Sequence, residues 1–286
     1  MNSVLYIIYR WVMLSLTLPG ISVVEKWNIW RQLEMFNQHI DLLKKKKYEK
    51  FAKDGRFLTS MEAVFLFDRI WDQLSAGDTK KVSFPGQIVW VNGAPGAGKG
   101  TNTRHIMRAM GIPTRPIVVS ELLANSPDLK EKIDQGRLVD DDQVTLCVMR
   151  RIMEEGLARS VIVDGYPRTI IQTEFLWLLQ IMIPIQMAGM VLLIDEKTSI
   201  QRQLSRGQNA KEHNRKVSRE NTGELLEVRK TDCDPEVAYN RYSEFYEKTH
   251  PALRLLKKFV DYHEIDAKGS FDEIKDRIFE ALKEKK

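Results

Sequence analysis

Cysteine is scarce in this chain, because Cys147 and Cys233 are the only two in 286 residues and lie far apart. Two isolated cysteines form neither a zinc cluster nor a disulfide framework, and such scarcity is typical of a reducing compartment. Internal repeats and low-complexity linkers are also missing, which excludes a repeat protein. Hydrophobic residues make up 43% of the chain and charged residues 29%, as in globular proteins. We therefore expect a cytoplasmic monomer that holds either one large domain or one domain with an appendage.

The chain also lacks a strong net charge, which is +5 at pH 7. Residues 1–86 hold 13 Lys and Arg against 9 Asp and Glu, so most of the excess lies there. The remaining 200 residues are almost balanced. This distribution argues against a general nucleic-acid-binding function, and we expect no nucleic acid among the partners.

The sequence contains no uninterrupted apolar segment of the kind that spans a membrane. Residues 4–24 are mostly apolar and about long enough to cross a bilayer. However, Arg10 would lie inside the span, and Pro19 with Gly20 would break the helix. No Lys or Arg precedes the run, so the charged start of a secretory signal is missing. An amphipathic or buried segment is favoured over membrane anchoring through residues 4–24.

Residues 1–86 are predicted to be a helical N-terminal extension. Apolar side chains recur at spacings of four and three between Ile29 and Leu43, which indicates a helix with one apolar face. A second helix is predicted from Met61 to about Leu74, after a segment that resembles a capping box. The extension carries no recognisable chemistry.

A glycine-rich loop at residues 93–101 is the most informative segment. It follows an apolar, β-branched run at 87–91 and precedes a stretch at 101–110 without glycine or proline. Strand, glycine loop, lysine and helix are the context of a phosphate-binding loop, in which backbone N–H groups surround the phosphates. The loop residues are Gly93, Ala94, Pro95, Gly96, Ala97, Gly98, Lys99, Gly100 and Thr101.

The remaining chain alternates strand-like and helical stretches. Strands are predicted at 87–91, 116–119, 160–163, 190–194 and 260–265, and a last helix begins after Ser270. Such alternation predicts an α/β fold with a parallel sheet of five strands flanked by helices. Because ligands bind at the carboxyl ends of parallel strands, Gly93 and Asp164 are expected to line one cleft.

Three further motifs accompany the loop. They occupy residues 136–144, residues 163–169 with Gln172, and residues 222–232 followed by Arg241. Together the four blocks resemble the adenylate kinase (nucleoside monophosphate kinase) family over about residues 87–267. The resemblance implies a P-loop NTPase-type domain over 87–286, with an acceptor-binding insertion at about 115–145 and a lid at about 207–228. The lid has no cysteine and few apolar residues, so we expect it to be free of metal, mobile and of intermediate length.

The resemblance implies ATP-dependent phosphoryl transfer to a nucleoside monophosphate, AMP by default, with ATP and Mg²⁺ as cofactors. On the donor side, Lys99 would contact the β- and γ-phosphates, and Arg202 would lie against the base. The arginines implied to reach the phosphates of the closed state are Arg206, Arg229 and Arg241. On the acceptor side, Arg168 would hold the phosphate and Gln172 would read the base. Val139 and Gly165 complete the implied acceptor-binding residues. Asp164 would organise Mg²⁺ through water molecules bound to the ion.

The acceptor side departs from the family pattern. Val119 stands where relatives carry a base-contacting threonine, and Ala124 replaces an arginine that grips the monophosphate. Two alternatives therefore stay open beside an active kinase. One is a non-catalytic ATP-binding or scaffolding module, and the other is a P-loop ATPase or a kinase for a different small acceptor.

Overall fold

The computed structural model describes residues 60–75, 82–125, 139–156, 158–183, 185–228 and 232–283. The chain divides into two compact units, Met1–Thr59 and Ser60–Lys286. The sequence predictions for residues 4–24 and 25–53 lie outside the described residues, and so does Arg229. The predicted domain boundary at residue 86 stays a prediction.

A parallel sheet of five strands forms the centre of the second unit, in the order β2-β3-β1-β4-β5. The strands are β1 (Gln87–Gly93), β2 (Ile117–Val118), β3 (Ser160–Asp164), β4 (Gln186–Leu193) and β5 (Asp261–Asp266). All four pairings between neighbours are parallel. The predicted P-loop NTPase-type fold class is confirmed.

Most strand ends lie within two residues of the prediction, but β4 begins at Gln186, four residues earlier than expected. The early start follows from pairing with β1, because Gln186 lies opposite Gln87 at the start of that strand. Further along β4, the Tyr262 ring of β5 packs closely on Gly189. A Cβ at Gly189 would lie 2.9 Å from that ring. Val119 does not end a strand but opens a helix, in which it is buried.

Nine α-helices are described around the sheet. They are α1 (Met61–Ser75), α2 (Lys99–Met110), α3 (Val119–Ala124), α4 (Asp141–Glu154), α5 (Ile170–Met182), α6 (Glu196–Glu220), α7 (Pro235–Glu244), α8 (His250–Leu256) and α9 (Phe271–Lys283), with a π-helical turn at Phe245–Thr249. Helix α2 packs against α9, and α5 packs against both α1 and α8. β1 and β3 are apolar and almost entirely buried, as expected for a sheet covered by helices.

Helix α1 lies before the predicted P-loop domain but packs into its core. The Ser60 hydroxyl caps the helix by accepting a hydrogen bond from the Ala63 N–H. Leu66, Phe67 and Ile70 are each 1% exposed. The Phe67 ring lies 5.3 Å from the Phe175 ring of α5, measured between centroids.

The segment predicted as the lid belongs mostly to α6, which runs through it as one helix to Glu220. Asn221 ends the helix in the left-handed conformation, with φ of 49°. The chain then returns along α6, where the Asn214 side chain donates to the Leu226 carbonyl at 2.8 Å and accepts from its N–H at 2.7 Å. Across the described residues, no helix combines the length and apolar character needed to cross a membrane.

We predict that Phe67→Ala lowers the free energy of unfolding by about 3–5 kcal/mol, because it leaves a cavity between α1 and α5. Phe65 on the same helix is 38% exposed, so Phe65→Ala serves as the matched control and should cost less than about 1 kcal/mol. Guanidinium unfolding of the full chain, followed by near-UV circular dichroism, measures both values. Equal losses in the two variants would contradict the placement of α1 in the core.

Candidate active site

The glycine loop leaves β1 at a point where only glycine fits. Gly93 has φ of 149°, and a Cβ there would lie 2.2 Å from the Leu192 carbonyl oxygen of β4. Gly98, with φ of 79°, then turns the chain into α2, which begins at Lys99 rather than at the predicted Thr101. The loop therefore lies directly before a helix N-terminus, where backbone N–H groups favour an anion.

Lys99 folds back over this loop. Its Nζ donates to the Gly93 carbonyl at 2.8 Å and to the Ala94 carbonyl at 3.2 Å. Burial lowers the pKa of Lys99 to about 8, and the neighbouring Asp164 carboxylate opposes that shift. Three arginines, Arg168, Arg241 and Arg206, add to the lowering. Burial and the neighbouring arginines thus destabilise the protonated form of Lys99, and a bound phosphate would stabilise it.

Asp164 ends β3 beside the glycine loop, opposite Val91 of β1. The residue is 8% exposed, and burial raises the pKa of its carboxyl while the charges of Lys99 and Arg168 oppose the rise. The Thr103 side chain of α2 lies near this carboxyl and also opposes the rise in its pKa, while its hydroxyl donates to the Lys99 carbonyl at 2.8 Å. A buried carboxylate beside a hydroxyl suits Mg²⁺, which takes one or two carboxylates and fills its shell with phosphate and water oxygens. The structure therefore brings the two predicted features, loop and aspartate, to one edge of the sheet.

Arg168 lies on the turn that follows β3. Gly165, with φ of 95°, donates its N–H to the Val91 carbonyl at 2.9 Å and accepts from Arg168 Nε at 2.8 Å. Asn92, which the sequence analysis missed, links this turn to the loop. Its Nδ2 donates to the Pro167 carbonyl at 2.7 Å, and its Oδ1 accepts from the Gly93 N–H at 2.8 Å. The sequence offered one signal for this role of Asn92, since it is a polar residue near the end of a mostly apolar strand.

Gln172 is 3% exposed and already paired inside the protein. Its Oε1 accepts from the Arg168 N–H at 2.7 Å, and its Nε2 donates to Asp141 Oδ1 at 2.7 Å. Thr169 Oγ1 donates to the other Asp141 oxygen at 2.9 Å. The predicted contact of Gln172 with a base stays a prediction.

Asp141 connects the first turns of α4 and α5 through these two bonds, and the sequence analysis did not identify it. Burial raises the pKa of its carboxyl, while the hydrogen bonds from Thr169 and Gln172 oppose that rise. The charges of Asp142 and Glu62 raise it further. Val139, two residues before Asp141, is half-buried in the segment that leads into α4.

A second missed carboxylate, Asp232, holds two of the predicted arginines. Arg206 of α6 makes a bidentate contact with it, at 2.6 and 2.8 Å. Arg241 Nη1 of α7 lies 3.2 Å from Asp232 Oδ1. The side chain of Asp232 is 2% exposed, against 47% for Arg206 and 32% for Arg241. The guanidinium groups are therefore more accessible to solvent than the carboxylate that binds them.

Arg202, one helical turn before Arg206, is predicted to lie against the donor base. Its guanidinium donates to the carbonyls of Ala267 at 2.8 Å and Gly269 at 3.0 Å, in the loop between β5 and α9.

The two residues that depart from the family pattern lie at the two ends of α3. Val119, at the start of the helix, is 1% exposed, and Ala124, at its end, is exposed. Neither side chain has a polar atom to offer a ligand.

Comparisons with known proteins agree with this architecture. The family model for the AAA domain matches residues 92–222. An adenylate kinase of Nocardioides sp. is 30% identical over 210 residues, which cover 67% of this chain and 95% of the relative. An adenylate kinase of Thermotoga maritima is also 30% identical, over 67% of this chain and 93% of the relative.

The chain belongs to the adenylate kinase family. A relative matched over almost its whole length shows this at 30% identity. The adenylate kinase core covers about two thirds of the 286 residues. Membership supports a nucleotide-binding P-loop kinase, which agrees with the four blocks of motif residues.

We predict that affinity for ATP falls as pH rises through about 8, since Lys99 loses its proton there in the free protein. Bound phosphates would keep the lysine charged, so binding above pH 8 takes up a proton and weakens by up to about tenfold per pH unit. Lys99→Arg, which stays charged, should remove this dependence. Calorimetric titration with ATP between pH 7 and 9.5 measures both slopes, and parallel slopes for the two proteins would contradict the prediction.

Proposed function

We propose that this protein transfers the γ-phosphoryl group of ATP to a nucleoside monophosphate, with AMP as the first candidate. The observation that carries the proposal is the grouping of four cations at one edge of the sheet. Lys99, Arg168, Arg206 and Arg241 lie close enough that the charges of the arginines act on the lysine. Such a group matches the charge of two phosphate chains that meet end to end.

The reaction needs no protein nucleophile. An oxygen of the acceptor phosphate attacks the γ-phosphorus, and the bond from that phosphorus to the β,γ-bridging oxygen breaks, so ADP leaves and a second diphosphate forms. Catalysis then consists of alignment and charge stabilisation. Backbone N–H groups at the start of α2 and the Lys99 side chain would hold the donor phosphates, while Arg206 and Arg241 would stabilise the charge on the transferred group. Mg²⁺, when bound near Asp164, would neutralise phosphate charge.

On the acceptor side, Arg168 is the residue proposed to hold the monophosphate. It is exposed to solvent, and its position is fixed by Gly165 and Gln172. The base would meet Gln172 and the segment that contains Val139. Because Val119 and Ala124 offer no polar contact, affinity for AMP should be lower than with a second arginine. This observation favours a second candidate, a different small phosphorylated acceptor.

The decisive experiment mixes the full chain with ATP, Mg²⁺ and a panel of monophosphates, and follows diphosphate formation by chromatography. Diphosphate formation with one panel member supports the kinase proposal and names its acceptor. Measurable ATP binding with no transfer to any acceptor would leave the non-catalytic alternative instead.

We predict that Lys99→Met and Arg206→Ala each reduce transfer on the order of 10³-fold or more, because each removes a cation from the phosphates. Circular dichroism should show the fold unchanged. Arg215 lies on the exposed distal part of α6, so Arg215→Ala is the matched control and should retain activity. A variant of Arg206 with near-normal turnover would contradict its proposed role.

We predict that Ala124→Arg tightens AMP binding by about tenfold to a hundredfold, the effect of one charged hydrogen bond to phosphate. The KM for ATP should stay unchanged, since the donor site is built on other elements. Steady-state kinetics at varied AMP and ATP provides the measurement. A KM for AMP that is unchanged or higher would show that residue 124 does not face the acceptor.

A further inference from the structure

Helix α1 makes polar contacts with the first turns of two helices on the acceptor side. At its start, the N–H and hydroxyl of Ser60 both donate to Glu174 Oε2 of α5, at 3.2 and 2.5 Å. In its third turn, Arg69 Nη2 lies 2.6 Å from Asp142 Oδ2 of α4. Glu174 is 8% exposed, so the bonds from Ser60 satisfy a carboxylate that has little access to water.

These two contacts lie beside the network that joins α4 and α5. Asp142 directly follows Asp141, and Glu174 comes two residues after Gln172. The charge of Glu62, also on α1, acts on Asp141 as well. Helix α1 therefore contacts α4 and α5 close to the two residues that form the Asp141–Gln172 hydrogen bond.

The apolar face of α1 keeps these contacts in register. Leu66 and Ile70 are almost fully buried, and Phe67 lies against Phe175 in the second turn of α5. A helix fixed along its length can hold its polar ends in place, whereas a loop would lose that order readily. The donor side is built differently, from the glycine loop, α6 and α7.

We propose that α1 is a positioning element of the acceptor site, an inference that rests on the proposed function. Ser60 and Arg69 hold the first turns of α5 and α4 in the arrangement in which Gln172 pairs with Asp141 and with the Arg168 backbone. The site is thereby ordered before the monophosphate binds, which reduces the entropy that binding must remove. This ordering matters more here because Val119 and Ala124 supply no contacts of their own.

The test compares full-length Ser60→Ala and Arg69→Ala with the unchanged protein in steady-state kinetics. We expect Ser60→Ala to raise the KM for the monophosphate by about three- to tenfold. Arg69→Ala, which breaks a more exposed ion pair, should raise it by about two- to fivefold. Both variants should leave kcat and the KM for ATP unchanged. Arg151→Ala is the matched control, since it breaks an ion pair of 2.8 Å with Glu155 at the far end of α4. That variant should change neither KM.

Two rescue variants separate positioning from general stability. Ser60→Thr keeps the hydroxyl and should retain the low KM for the monophosphate. Exchange of the charges, Arg69→Asp with Asp142→Arg, should recover most of what Arg69→Ala loses. An equal rise in both KM values, or a lower melting temperature with an unchanged KM for the monophosphate, would overturn the proposal.

Calorimetric binding of AMP and of a non-hydrolysable ATP analogue distinguishes this failure from that of the proposed function. If the unchanged protein binds AMP but forms no diphosphate, the proposed function fails, and the ratio of AMP dissociation constants still tests α1. If transfer is normal and both variants bind AMP as tightly as the unchanged protein, only the positioning proposal is wrong. If no monophosphate binds, both fail.

Discussion

Two buried carboxylates, Asp164 and Asp232, lie among the cations of the cleft. Removing an unpaired charge from water is costly, so each carboxylate is stable only with its cationic neighbours. Asp232 binds Arg206 and Arg241, while Asp164 lies near Lys99 and Arg168. Glu121 and Glu244 add negative charge near Asp164 and Arg168, so the edge where the glycine loop lies carries a mixed network of anions and cations. The proposed binding of phosphate depends on the position of these cations more than on the net charge of the chain.

The charge can concentrate at one edge because the sheet is parallel. Parallel strands end at the same edge, so Gly93, at the end of β1, and Asp164, at the end of β3, lie close together although 71 positions separate them in the chain. The close approach of Gly93 to Leu192 sets where the loop leaves the sheet, and a side chain at position 93 would push the loop away. Asn92 then ties the loop to the turn that carries Arg168. Backbone geometry therefore decides where the cations can act.

Features that depend on a short segment could be predicted from the sequence, and features that depend on distant partners could not. The glycine loop, the strand before it and the aspartate at the end of β3 each follow from a few consecutive residues. Asp141 and Asp232, by contrast, gain their importance from partners 31 and 26 residues away. The early start of β4 depends on pairing with β1, where Gln186 lies opposite a residue 99 positions away in the chain. The helical continuation of α6 was missed because its polar composition resembled that of a loop.

This difference also separates the two halves of the cleft. The proposed donor side consists of backbone N–H groups and one lysine within nine consecutive residues, so local sequence almost suffices to build it. The proposed acceptor side consists of side chains near the starts of α4 and α5, and each of these helices takes its position from others that pack on it. Because Ala124 offers no polar atom, the shape of this side would depend on packing contacts such as those of α1. We therefore expect acceptor affinity to depend on residues far from the phosphates, and donor affinity to depend mainly on the loop itself.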